Sequence, residues 1–228
     1  LYAELCRLSH ETLFEASRSG ASSLVEDLLM RKAFELNELV PNKPDEGEVK
    51  KRMLQSFQGG YVKEPLAGLH ENIAVLDFRS LHPSIMISHN VSPETLRCSH
   101  QECMDGKNVS PDKDWFCMKH KGFIPVVLEE ILEKRVEAKK GMKKTSPSDP
   151  AHALFAAKQQ ALKILLNSHY GYLGYPRSRW YSRQCAKAIT AWSRHYIRET
   201  INSAEEKGFV ALYGDTDSCF LKVPQKKT

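Results

Sequence analysis

With 228 residues the chain is long enough to bury a real core, as one large domain or two small ones, which excludes a peptide module. Its 33 Lys and Arg against 28 Asp and Glu leave a net charge of +5, a mild excess compatible with a polyanionic partner. Six cysteines are too few for a disulfide scaffold, no apolar run approaches the roughly 20 residues that cross a bilayer, and the start, Leu1-Tyr2-Ala3-Glu4, lacks a basic-then-apolar signal, so a cytoplasmic protein with no membrane contact is expected.

Residues 1–39 carry a helical pattern, with Ser23-Leu24-Val25-Glu26 as a capping box, and read as scaffold. The prolines and acids of 41–48 break it into an exposed loop. Phe57-Gln58-Gly59-Gly60-Tyr61-Val62 sets two glycines beside aromatic rings, either a plain β-bulge or a place where backbone approaches a partner surface. The apolar run Ile73 to Leu76 is a strand that delivers Asp77 at its C-terminal end, where ligands commonly gather.

Between residues 91 and 121 the chain is polar and turn-rich, with Cys98, Cys103, Cys117 and His120. Cys-x4-Cys, thirteen residues, then Cys-x2-His resembles a zinc layout without matching a standard one, and free thiols or one disulfide are alternatives. The irregular spacing leads to the expectation that folding needs no metal. Cys6, Cys185 and Cys219, isolated in apolar or helical contexts, are expected to be buried small hydrophobes.

A helix over 122–145 carries Val127, Leu128, Ile131 and Leu132 on one face and Arg135, Lys139 and Lys143, four apart, on another. Between Lys134 and Lys144 six basic residues stand against one acid, a local stripe suited to phosphate. Asp149 as N-cap and Pro150 at the first helical position begin a return helix over 151–170, completing an αα-hairpin. Lys163, Asn167 and Tyr170 share one face of it, so two helices point basic and polar groups into one gap.

Arg177, Arg179, Trp180 and Tyr181 mix basic and aromatic groups, a combination that suits a nucleic-acid strand or plain core packing. A long helix over 181–207 buries a stripe from Cys185 to Ile201 and stops at Gly208. Two short strands, 209–212 and 219–223, flank Tyr213-Gly214-Asp215-Thr216-Asp217-Ser218, where the Gly-Asp pair signals a hairpin turn. Two carboxylates at a hairpin tip repel one another, and a divalent cation offsets that repulsion.

The strings Asp77-Phe78-Arg79-Ser80-Leu81-His82-Pro83-Ser84, Lys163-Ile164-Leu165-Leu166-Asn167-Ser168-His169-Tyr170-Gly171 and Tyr213 to Ser218 occur in the order and spacing seen in family B DNA polymerases. The chain resembles that family, in an archaeal flavour, over nearly its whole length, including Asn42 to Pro44, Phe57 to Pro65 and Gly122 to Pro125. The resemblance implies an α+β fold: a palm of antiparallel sheet with packed helices, and an inserted antiparallel helical hairpin, the fingers. Residues 1–121 would hold N-terminal helices and the first part of the palm with motif A, 122–172 the fingers, and 173–228 the remaining palm with motif C. It further implies DNA-directed DNA polymerase activity by phosphoryl transfer with two Mg2+ ions, on primer-template DNA and deoxynucleoside triphosphates. Nothing in the chain resembles the family's exonuclease carboxylate motifs, so exonuclease and thumb domains are expected elsewhere, in the same or a separate chain.

Residue by residue, the resemblance makes Asp77, Asp217 and Asp215 catalytic, with Asp77, the Phe78 carbonyl and Asp217 as metal ligands and Asp215 as a supporting carboxylate. Backbone N–H groups from Arg79, Ser80 and Leu81 would hold phosphate oxygens opposite Arg135, Lys139, Lys163 and Asn167, while Tyr170 and Gly171 would check the new base pair. Gly59, Gly60 and Tyr61 would meet template backbone, with Arg177 and Arg179 as further DNA contacts. The family usually has Tyr where this chain has His82, a ring that packs on the sugar and excludes a 2′-hydroxyl; His82 is smaller and polar. Two other readings share parts of this pattern. RNA-templated synthesis shares the acidic strands but does not predict the Lys163 to Gly171 string, and a catalytically silent nucleic-acid-binding subunit does not require Asp77 and Asp217.

Overall fold

The computed structural model describes residues 1–224, so the last four residues of the predicted third portion lie outside it. Nine α-helices and four strands are described: α1 Tyr2–Ser9, α2 Leu13–Ala16, α3 Ala21–Glu35, α4 Glu46–Met53, β1 Val62–Lys63, β2 Ile73–Asp77, α5 Leu81–Ser88, α6 Gln101–Met104, α7 Phe123–Lys144, α8 Pro150–Gly174, α9 Arg183–Glu206, β3 Val210–Asp215 and β4 Ser218–Lys222. The fold is α+β, with one antiparallel sheet in the order β1-β3-β4-β2.

Two apolar clusters organise it. The larger unites Leu29 of α3, Met86 of α5, Leu128 of α7, Leu162 and Leu166 of α8 and Ile189 of α9, all fully buried. The smaller packs Ile197, Ile201 and Ala204 of α9 against Ala211, Cys219 and Leu221 of the sheet. Strand alternation explains the second: Cys219 and Leu221 point to α9, and Ser218, Phe220 and Lys222 point away from it. Phe78 packs against both clusters, so the end of β2 lies at their seam.

The helical hairpin forms as its punctuation predicts. The Asp149 carboxylate accepts from Ala151 N–H at 2.8 Å, and Pro150 opens α8. Where α7 and α8 converge, a Cβ on Gly141 would stand 2.5 Å from the Phe155 ring, so only glycine fits that approach.

Several local expectations are corrected. The N-terminal segment is three helices, and α3 has Gly20 as its N-cap, with no side-chain cap; Ser23 instead donates to Glu11 at 3.4 Å, so the capping box is not formed. The exposed loop is shorter than 41–48, because the Asp45 side chain caps α4 by accepting from Glu48 N–H at 2.7 Å. The hairpin turn is centred on Thr216 and Asp217, with Thr216 at φ 51°, while Gly214 pairs with Cys219 inside the sheet. The turn after Asp77, at Arg79 and Ser80, leads directly into α5, so His82 and Pro83 are helical.

Residues 91–121 form a compact irregular unit around α6, a 3-10 turn at Pro93–Thr95 and isolated bridges Leu96 to Phe116 and Val109 to Trp115. Cys185 and Cys219 are buried as expected; Cys6 is half-buried. Among the described residues no helix is long and apolar enough to cross a membrane.

Candidate active site

Asp77 ends β2 opposite Ser218 of β4, and Phe78 N–H donates to the Asp217 carbonyl at 2.8 Å. That pairing brings the ends of two sequence-distant segments to one edge of the sheet. The Asp217 carboxyl is pushed above the usual carboxylate range, by burial first, then by the charge of Asp77, and to a lesser degree by that of Asp215. A carboxylate held in this way takes up a proton or a cation more readily than an exposed one.

Asp215 faces elsewhere. It is exposed, accepts from its neighbour Thr216 Oγ1 at 2.8 Å and from Tyr213 OH at 3.3 Å, and does not line the cleft that holds Asp77 and Asp217.

That cleft, about 580 Å³, is lined by Asp77, Phe78, Arg79, Ser80, Leu81, His82, Pro83, Arg135, Lys139, Lys163, Asn167 and Asp217. One wall is the sheet edge and the start of α5; the other is the basic face of α7 with the Lys163 and Asn167 face of α8. Of the predicted residues, eleven are thus gathered into one cavity, and Pro83 is an addition. The sequence signal for Pro83 was its place within the Asp77 to Ser84 string.

The basic wall is electrostatically frustrated. Arg135 is almost fully buried, donates to Ser80 Oγ at 2.9 Å, and its Nε has no partner among the described residues. Burial and the nearby Arg79 both oppose its charge. The Lys139 ammonium is held below its ordinary range chiefly by Arg135, then by burial, then by Arg79, Lys163 and Lys143. Cations held this close without carboxylate partners are stabilised by a polyanion entering the cleft. The Arg79 side chain therefore adds to the site a charge that its backbone role alone does not supply.

At the floor, the ring of His82 lies 4.2 Å from that of Tyr170, centroid to centroid. Burial drives the His82 pKa down to about 4, so its imidazole is neutral at neutral pH. Tyr170 reaches the cleft through this contact.

Gly60 lies under the acidic turn: Thr216 N–H donates to the Tyr61 carbonyl at 2.8 Å, and a Cβ on Gly60 would stand 2.7 Å from Thr216 Oγ1. Arg194 fixes the same stretch by donating to the Gln58 and Gly59 carbonyls at 3.0 and 2.7 Å. The Gly59 to Tyr61 segment is thereby coupled to the hairpin tip. Gly171, exposed and with open space around it, follows Asn167 by one turn of α8.

Arg177 and Arg179, expected as DNA contacts, have partners within the chain. Arg177 forms a two-pronged pair with Glu46 at 2.6 and 3.1 Å, and Arg179 lies 3.4 Å from Glu26 and donates to the Pro41 carbonyl at 3.0 Å. They tie the connection after α8 to the N-terminal segment. Periodicity did not reveal this, because their acids are more than 130 residues away.

Comparison with known proteins follows this geometry. The chain is 51% identical over 225 residues to a DNA polymerase of Thermococcus gorgonarius, covering 97% of this chain and 28% of that protein. It is 48% identical over 227 residues to DNA polymerase 1 of Pyrococcus abyssi (strain GE5 / Orsay), covering 99% and 29%. The fold superposes with a TM-score of 0.80, at 33% identity, on the family B DNA polymerase from the hyperthermophilic archaeon Pyrobaculum calidifontis, covering 98% of this chain and 29% of that one. The chain therefore spans under a third of the length of the relatives it matches. With the family described as DNA polymerase family B matching residues 12–228, this chain belongs to that family.

Proposed function

We propose that the chain carries the polymerising centre of a DNA-directed DNA polymerase, which adds deoxynucleotides to a primer 3′ end on a DNA template. The observation that carries this reading is the single cleft in which crowded carboxylates on a sheet edge face unneutralised cations on two helices. Phosphoryl transfer needs that opposition: an anionic side to gather metal, and a cationic side to grip a triphosphate.

Residues 1–121 then carry N-terminal helices and the first part of the palm, 122–172 the fingers, and 173–228 the remainder of the palm. Arg135, Lys139 and Lys163 bind the triphosphate, with Asn167 beside them. Arg79, Ser80 and Leu81, at the start of α5, present backbone N–H groups to phosphate oxygens from the opposite wall. Gly59, Gly60 and Tyr61 meet template backbone, and Tyr170 with Gly171 faces the new base pair.

The residues present fit divalent metal. Asp77 and Asp217 offer hard oxygen donors, the Asp217 carboxyl is pushed up by burial and then by the nearby Asp77 charge, and the Phe78 carbonyl adds a neutral oxygen. Mg2+ is the ion such donors suit, and a pair of ions there would lower the pKa of the primer hydroxyl and neutralise the leaving pyrophosphate. Asp215, outside the cleft, shapes the turn that presents Asp217. Exonuclease and thumb domains, in the same or a separate chain, would supply the remaining grip on primer duplex through phosphate contacts.

The test is primer extension by the whole protein on DNA and RNA templates, with Mg2+ and after chelation. Metal-dependent extension on DNA, lost in Asp77→Asn, is the expected result. No nucleotide addition, or equal use of an RNA template, would refute the reading.

A further inference from the structure

The unit between α5 and α7 gathers side chains that the nucleotide cleft does not use. Cys98, His100, Cys103 and Cys117 bring one ligand atom each within 4.8 Å of one another. They arrive from three separate arms: Cys98 and His100 from the stretch beside the Leu96 to Phe116 bridge, Cys103 from the short helix α6, and Cys117 from the return arm. Cys103 and Cys117 are fully buried, and Cys98 and His100 are half-buried.

We propose that these four residues form a structural zinc site that fixes the base of α7. Zinc favours four nitrogen and sulfur donors in a tetrahedron, and bond lengths of about 2.3 Å to sulfur and 2.0–2.1 Å to nitrogen place ligand atoms roughly 3.6 to 3.8 Å apart. His100 Nδ1 lies 3.4 Å from Cys117 Sγ, close to that spacing. Three sulfurs and one imidazole in so small a volume leave no room for an iron–sulfur cluster, which also prefers four thiolates.

The surroundings favour thiolates. Met118 N–H points at Cys103 Sγ and Lys119 N–H at Cys117 Sγ, each at 3.4 Å, an arrangement that steadies metal-bound sulfur. His120 Nδ1 stands 3.2 Å from Cys117 Sγ, but His120 is exposed and is not one of the four converging groups. A reading from spacing alone puts His120 in the ligand set and finds the pattern irregular; the four converging groups include His100 instead, and the proposed site departs from the expectation that folding needs no metal.

The position gives the site a purpose. The Asn90 side chain, at the end of α5, donates to the Cys117 and His120 carbonyls at 2.7 and 2.8 Å and accepts from Gly122 N–H at 2.8 Å. Phe123 N–H, the first of α7, donates to Glu94 at 2.6 Å. The gathered thiols thus hold the segment that anchors α7, the helix that carries Arg135 and Lys139. This inference stands on the loop alone and does not depend on the polymerase reading.

Elemental analysis of the whole protein, purified without chelator under reducing conditions, is expected to give about one zinc per chain. Cobalt substituted for it should give the strong visible bands of tetrahedral Co2+ with thiolate charge transfer in the near ultraviolet. Cys103→Ser, Cys117→Ser and His100→Ala should each lose the metal, and His120→Ala should keep it. Because these variants risk misfolding, the wild-type protein supplies a second measurement: chelation should lower Tm, and added zinc should restore it. Absence of zinc, a disulfide between any two of the three cysteines in the protein as purified, bound iron with sulfide, or retention of zinc by Cys103→Ser/Cys117→Ser would each overturn the proposal. Loss of zinc in His120→Ala with retention in His100→Ala would overturn the ligand assignment.

Discussion

The imidazole of His82 lies against the ring of Tyr170, with centroids 4.2 Å apart and planes inclined by 39°. The contact joins α5, which starts beside Asp77, to the face of α8 that carries Lys163 and Asn167. His82 Nε2 is buried and has no partner among the described residues, so the imidazole acts there as a filler. In the proposed polymerase it occupies the space a 2′-hydroxyl would enter. His82→Ala should therefore increase ribonucleotide use relative to deoxyribonucleotide, and the bulkier His82→Tyr should decrease it. The ratio of kcat/KM for the two nucleotide types is the measurement, and an unchanged ratio in both variants would place the gate elsewhere.

Asp217→Asn is expected to lower nucleotide addition at least about a hundredfold, because a neutral amide holds metal poorly. The same variant should be no less stable than wild type at neutral pH. A carboxyl whose folded pKa is raised loses stability as pH climbs above its unfolded value near 3.8, and the amide removes that cost, which comes from burial first and then from the charge of Asp77. Activity assays paired with thermal melts check both signs. A large drop in Tm would mean that Asp217 is a structural group.

Lys139→Ala should weaken nucleotide binding about 10- to 150-fold, the effect of a lost charge-assisted contact worth about 1.5 to 3 kcal/mol. Stability of the nucleotide-free protein should not fall, because Arg135 already opposes the Lys139 charge. Lys163→Ala should act in the same direction on binding. Arg135→Ala should also loosen the start of α5, through loss of the 2.9 Å contact to Ser80. Nucleotide KM and Tm, measured together, separate these outcomes.

Acid should destabilise the fold through two buried histidines. Burial depresses His82 and His169 to about 4, from an ordinary 6.5. The unfolded chain therefore binds more protons between those values, and stability present above about pH 6.5 is lost as pH falls toward 4, by up to about 1.4 kcal/mol per pH unit for each group. Chemical denaturation from pH 7.5 to 4.5 should show this slope, reduced in His82→Gln. A flat profile in the wild type would contradict the buried, neutral assignment.

Gly60→Ala should slow catalysis about tenfold to a hundredfold without unfolding the protein. The added Cβ would meet Thr216 Oγ1, Cγ2 and Cβ at 2.7, 3.1 and 3.2 Å, so rotating that side chain does not relieve the clash and the turn that presents Asp217 must shift. Gly59→Ala, with open space at its Cβ, is the control. Equal activity in both would show that the segment tolerates movement.

The sequence by itself determined the elements whose causes are local. Asp149 and Pro150 start α8, residues four apart place Arg135 above Lys139 on α7, and the apolar run before Asp77 makes β2. It also determined the family, because three strings in a fixed order hold Asp77, Asn167 and Asp217 at characteristic spacings. Short elements such as α4 and α5 escaped, their capping and packing signals being weaker than the turn residues around them.

Only the tertiary structure decided which like groups do different work. Asp215 and Asp217 are two residues apart, yet Asp215 ends β3 at the surface while the turn at Thr216, with its φ of 51°, carries Asp217 into the cleft. Arg135, in the middle of α7, and Arg177, just past the end of α8, are both basic, but Arg135 enters the cleft, and Arg177 is paired with Glu46, 131 residues away. His100 and His120 both approach Cys117 Sγ, at 3.4 and 3.2 Å, but it is His100 that also converges on Cys98 and Cys103. In each pair the deciding contact joins residues far apart in the chain. Local periodicity cannot encode such a contact, because burial and charge depend on which distant segments pack together.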